Sequence, residues 1–139
     1  MELGSLLTPA VISADPDAPL GLVAALMKDH NIGAVVIAEK RRPVGIVTDR
    51  DLALALGANG HSLHTPANEI MTRHVLAIPE STDLFTATRF LREKGVRRLP
   101  IVDADDRLVG MVTLDDLLVI LGREMGNIAE GIRTEVHVR

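Results

Sequence analysis

The stretch Gly45-Ile46-Val47-Thr48-Asp49-Arg50-Asp51-Leu52 returns 65 residues later as Gly110-Met111-Val112-Thr113-Leu114-Asp115-Asp116-Leu117. A chain that repeats itself at a fixed period folds as copies of one unit, so this periodicity constrains the architecture before any other feature. Each copy reads as a short buried strand that stops at a threonine and turns directly into a helix. Thr-x-x-Asp ahead of an apolar run is a close relative of the capping box. A helix N-terminus also presents free N–H groups and the positive end of the dipole, which suits a phosphate or another anion. Each turn is thus a helix cap worth about 1 kcal/mol and, at the same time, a candidate anion site.

The repeat extends in both directions. At an offset of 64, Val11-Ile12-Ser13 aligns with Val75-Leu76-Ala77, and both predict short opening strands. Asp15-Pro16-Asp17-Ala18-Pro19 and Pro79-Glu80-Ser81-Thr82-Asp83 then signal helix starts. The helices that follow carry apolar faces at Leu22, Val23, Leu26 and Met27, and at Leu84, Ala87, Phe90 and Leu91. Asn31 and Gly95 occupy one repeat position, and both tolerate the left-handed conformation that closes a helix. Next come apolar strands over 32–38 and 96–102, a polar turn, and the strand that enters the Thr-x-x-Asp helix. Gly57 and Gly122 predict the ends of those helices. The unit is strand, helix, strand, strand, helix, used twice, over residues 6–57 and 69–122. Residues 58–68 read as an exposed connection. Residues 123–139 read as a helical tail whose apolar face needs a partner surface, either its own core or a second subunit.

Composition narrows the function. Two phenylalanines and no tyrosine or tryptophan leave no stacking platform, and the net charge of −4 argues against a nucleic-acid surface. Without cysteine there is neither a disulfide nor a thiolate metal site. No apolar run reaches about 18 residues and no signal peptide is evident, so a cytoplasmic protein without a membrane partner is the expectation. No nucleophile–base pairing, phosphate loop or Gly-x-Gly-x-x-Gly fingerprint is present, so no enzyme activity is expected. His61-x-x-His64 reads as solvated loop rather than a metal site, and Asp103-Ala104-Asp105-Asp106 as a hairpin turn rather than a calcium loop.

Two such units, each ending in Gly-(Ile/Met)-Val-Thr-x-(Arg/Asp)-Asp-Leu, with Arg97-Arg98-Leu99-Pro100-Ile101-Val102 before the second hairpin, resemble a tandem pair of CBS domains, the module named after cystathionine β-synthase. The resemblance implies an α+β fold, two pseudo-symmetric β-α-β-β-α repeats packed as an α/β sandwich with two clefts between them. It implies a regulatory ligand containing adenosine (AMP, ADP, ATP or S-adenosylmethionine), no obligatory cofactor, and a homodimer. Carried onto this chain, one cleft has Thr48 and Asp51 facing Val75, Leu76, Arg97 and Arg98, with Arg50 near. The other has Thr113 and Asp116 facing Thr8, Val11, Ile12, Ile32 and Gly33. A carboxylate suits a ribose diol, the threonine hydroxyl and helix N–H groups suit phosphate, and arginine makes the first cleft the better one for a charged tail. Alternation along the strand sends only one of Arg97 and Arg98 into it. The expectation is a stand-alone sensor that signals to an unidentified effector protein; the alternative is a ligand-free dimerisation or interaction module.

Overall fold

The structure, a computed structural model, describes residues 2–6 and 12–138. A 3-10 turn, Leu3–Leu6, leads into β1 (Ser13–Ala14), α1 (Leu20–His30), β2 (Ala34–Glu39), β3 (Arg42–Thr48) and α2 (Asp49–Gly57). After a second 3-10 turn, Ala67–Glu69, come β4 (Ile78–Pro79), α3 (Leu84–Lys94), β5 (Arg98–Val102), β6 (Leu108–Thr113) and α4 (Leu114–Val138). Each half forms a three-stranded mixed sheet, β1-β2-β3 and β4-β5-β6. The first pair in each is parallel and the hairpin is antiparallel.

Sequence determines these elements locally. Asn31 at φ 52° and Gly95 at φ 65° close α1 and α3 in the left-handed conformation, as their shared repeat position predicts. Val35, Ile37 and Val47 point into one core with Leu20, Val23 and Leu52. Leu99, Ile101 and Val112 point into a second with Leu84, Leu91 and Leu117. Ala34, Val36 and Ala38 on β2 and Pro100 and Val102 on β5 are buried as well. Central strands buried on both faces are what two sheets packed back to back require. The result is the expected α/β sandwich.

Three readings are corrected. The opening strands pair at Ser13–Ala14 and Ile78–Pro79: the first shares only Ser13 with the expected Val11-Ile12-Ser13, and the second begins just beyond Val75-Leu76-Ala77. Hydrophobicity alone selected those segments, whereas the register with β2 and β5 selects the pairing residues. Gly122 does not end α4, which runs on to Val138; an interior glycine costs only about 1 kcal/mol and needs a left-handed φ to act as a stop. The connection 58–68 is not simply exposed. Its Leu63 and Thr65 carbonyls accept from the Gly21 and Leu20 N–H groups at 2.9 Å, capping α1, whose N-cap Pro19 has no side chain to do so.

The halves also exchange segments. Leu3 and Gly4 donate to the Thr82 and Glu80 carbonyls at 3.0 and 2.9 Å, so the start of the first half docks on the second. Sixty-four residues on, Ala67 and Asn68 donate to Ala18 and Pro16 at 2.8 and 2.9 Å, docking the start of the second half on the first. Leu3 and Ala67 are both fully buried in the opposite core. Close to this exchange Ile46 and Thr72 swap backbone hydrogen bonds at 3.1 and 2.9 Å. Gly45 has no room for a side chain, because a Cβ there would stand 3.0 Å from the Met71 Cβ and closer still to its Cγ and Sδ. We expect Gly45→Ala to lower stability by about 1–3 kcal/mol through overpacking, read as an earlier midpoint in urea unfolding.

Candidate functional site

The two Thr-x-x-Asp turns form as reciprocal capping boxes. Asp51 donates its N–H to Thr48 Oγ1 at 3.2 Å and its Oδ2 accepts from the Thr48 N–H at 2.8 Å. At the second turn the same pair of bonds joins Thr113 and Asp116 at 3.1 Å each. The cap therefore engages one carboxylate oxygen and leaves Oδ1 of each aspartate available. Thr48, Asp51 and Thr113 are partly buried, while Asp116 and Arg50 are exposed.

Backbone hydrogen bonds tie each turn to the segment that precedes the central strand of its own half. Asp49 donates to the Gly33 carbonyl at 3.0 Å, and Leu114 donates to the Arg97 carbonyl at 2.9 Å. Gly33, assigned from sequence to the cleft of the second turn, thus lies against the first, with Ile32 next to it in the chain. Arg97, assigned to the first, lies against the second, where its guanidinium pairs with Asp115 at 3.7 Å. That pair is mostly exposed, the side chains 71% and 81% accessible, so it holds little energy.

Arg98 is the residue that crosses between the halves. A Cβ on Gly33 would stand 3.2 Å from Arg98 Nη2 and 3.2 Å from Asp49 Oδ2. The missing side chain of Gly33 is what lets the guanidinium of one half pass beside the acidic turn of the other. Of the two neighbouring arginines, one reaches the opposite half, as strand alternation predicts. Arg97, Arg98, Thr113, Leu114 and Asp115 line an open recess of about 70 Å³. A wider hollow of about 510 Å³ lies along α1 between Asp15, Asp17, Leu22 and Leu26, and its carboxylates repel rather than attract an anion.

The remaining candidates divide. Val75 is partly buried, Leu76 is 38% exposed, and Ile12 is partly buried just ahead of β1. Thr8 and Val11 lie outside the described residues. His61 stands 3.9 Å from Glu69. The acidic run at Asp103 closes the β5–β6 hairpin: its Oδ1 accepts from the N–H groups of Asp105 and Arg107, both at 2.9 Å. The Arg107 N–H bond is the main reason its carboxyl sits below the usual carboxylate range. Sequence reasoning missed Asp49 and Asp115, although both sit in the repeated stretch. Their charges differ between the copies: Thr-Asp-Arg-Asp at the first turn, Thr-Leu-Asp-Asp at the second.

The CBS domain family model matches residues 3–58 and again 67–123. The chain is 36% identical over 125 residues to CBS domain-containing protein YhcV of Bacillus subtilis, covering 90% of this chain and 86% of that protein. To MK0525, an uncharacterized protein of Methanopyrus kandleri, it is 35% identical over 122 residues, covering 86% of this chain but only 62% of that one. Among solved structures, the CBS domain pair of MJ0100, in complex with 5′-methylthioadenosine and S-adenosyl-L-methionine, superposes with a TM-score of 0.78 at 28% identity. That match covers 89% of this chain and 98% of the other. The doubled unit, the exchanged segments and the paired capping boxes are those of a tandem repeat, and the chain belongs to the CBS domain family as a CBS domain pair.

Proposed function

We propose that this CBS domain pair is a regulatory module that senses an adenosine-containing small molecule in the clefts between its halves and has no catalysis of its own. The observation that carries the reading is Arg98, which brings a cation from the second half beside Gly33, Asp49 and the capped N-terminus of α2 in the first. An anion there meets a helix end and a guanidinium together. The Asp51 oxygen left over by the cap suits a ribose hydroxyl. The ligands held by the MJ0100 pair support the chemical class. In the same reading Thr48, Asp51, Val75, Leu76 and Arg98 serve one cleft, and Ile12, Ile32, Thr113 and Asp116 the other. Gly33 admits the arginine, and Arg50 and Arg97 remain at the rim.

A ligand that touches both halves favours whichever arrangement of them it binds more tightly, and only that difference in affinity passes a signal to an effector protein. Isothermal titration with AMP, ADP, ATP, S-adenosylmethionine and 5′-methylthioadenosine tests the proposal. At least one is expected to bind, at one or two sites per chain; heat-silent titrations together with no thermal shift for all five overturn it.

A second reading, an interaction module that works as a homodimer without ligand, rests on apolar helix surface. Leu22, Leu54, Phe85 and Leu118 are 49%, 46%, 67% and 60% exposed. The same titrations separate the two, since only self-association combined with no binding of any of the five ligands leaves this reading standing alone.

A further inference from the structure

The two halves bring unequal charge to their capped turns. Ala34 pairs with Thr48 across the β2–β3 hairpin, and Arg98 pairs with Thr113 across β5–β6. These positions are 64 residues apart and equivalent in the repeat. Ala34 is buried and too short to reach anything beyond its own half. Arg98 behaves differently. Its backbone belongs to the second turn, yet its Nη2 and the Asp49 Oδ2 of the first turn both stand 3.2 Å from the vacant Cβ position of Gly33. One side chain therefore reaches from one turn to the other, and its repeat mate sends nothing back.

The charges around it set what this single reach can do. Among the described residues Arg98 makes no ion pair, whereas its neighbour Arg97 faces Asp115 at 3.7 Å. The turns also differ in charge, because Asp115 in the second stands where Arg50 stands in the first. The second turn thus has two carboxylates, Asp115 and Asp116, one guanidinium already engaged, and one whose end lies in the opposite half. A helix N-terminus supplies only about half a unit of positive charge, against roughly −1.5 to −2 on a phosphate monoester. An anion at either turn needs the guanidinium as well.

We infer that Arg98 is one cation shared by the two clefts, so that the chain holds one phosphate-bearing ligand at a time. A second adenosine compound joins it only when that compound has no phosphate. Two phosphates bound together would leave one of them without the guanidinium, close to carboxylates and to the other phosphate. This rests on the ligand reading above and adds the rule by which the two clefts fill together.

Calorimetric titrations of the whole chain with AMP and with 5′-methylthioadenosine test it. The phosphate-free compound is expected to fill two sites per chain. AMP is expected to fill one, with a second step weaker by about tenfold or more, the worth of one charge-assisted contact. A chain saturated with AMP is expected still to take up one equivalent of 5′-methylthioadenosine. These stoichiometries use the parent chain and depend on no variant. In Arg98→Ala the first AMP is expected to weaken to the level of the second, closing the gap between the steps. Two AMP molecules bound with like affinity, or a gap that survives in Arg98→Ala, overturn the inference and leave the sensing reading in place. Confinement of 5′-methylthioadenosine to one site overturns it too, since the limit is then the cleft and not the charge. If neither compound binds, the inference falls whatever the other ligands do.

Discussion

Replacing Leu3 with alanine is expected to destabilise the whole protein by about 2–4 kcal/mol. Leu3 is near the beginning of the chain, where a substitution ordinarily costs little, yet it is fully buried. It packs among Ile78, Leu84, Leu91 and Leu117 of the other half, and its N–H and that of Gly4 complete backbone hydrogen bonds to Thr82 and Glu80. Truncation leaves a cavity that the opposite sheet cannot close, because β5 is covered on both faces. For a chain of this length the loss is roughly an 8–15 °C fall in melting temperature. Leu63→Ala, at a position 54% exposed, is expected to stay within about 0.5 kcal/mol. Since each core is finished by a segment from the other half, thermal unfolding of the parent is expected as one transition that Leu3→Ala shifts as a whole. A change below 1 kcal/mol, or two separated transitions, would show that the exchange does not couple the halves.

This coupling marks the boundary of what sequence reading reached. Capping boxes at Thr48–Asp51 and Thr113–Asp116, and the left-handed residues Asn31 and Gly95, were legible because all their partners lie within five residues in the chain. The doubled unit was legible because both copies retain the same breaks. Leu3 and Ala67 carry no motif; what identifies them is a partner some 80 or 49 residues away, Thr82 or Ala18. The same holds for the cap of α1, supplied by carbonyls of the connection rather than by Asp15 or Asp17. At the site, residue types identified both turns, but chain order could not say which neighbouring segment each turn touches. Each turn takes its backbone partner from its own half, Gly33 for the first and Arg97 for the second, and Arg98 reaches the first half because a long side chain spans the gap that Gly33 leaves open.

Arg98 is where the ligand proposal meets its sharpest test. Arg98→Ala is expected to weaken AMP binding about 10- to 100-fold, the equivalent of roughly 1.4–2.8 kcal/mol for a lost charge-assisted contact to phosphate. Binding of 5′-methylthioadenosine, which has no phosphate, is expected to change less than threefold. Arg97→Ala is expected to change neither by more than threefold, because that side chain is 71% exposed and already faces Asp115. Arg98→Lys separates charge from shape: an ammonium keeps the charge but cannot span two oxygens, so recovery is partial. The substitution leaves folding nearly unchanged, since Asp49 is exposed to water and needs no partner to stay ionised. Loss of phosphate selectivity is thus readable without a stability correction. If Arg98→Ala weakens AMP and 5′-methylthioadenosine equally, the guanidinium holds the cleft in shape rather than holding an anion. If it weakens neither, the crossing from one half to the other is structural and the anion lands elsewhere.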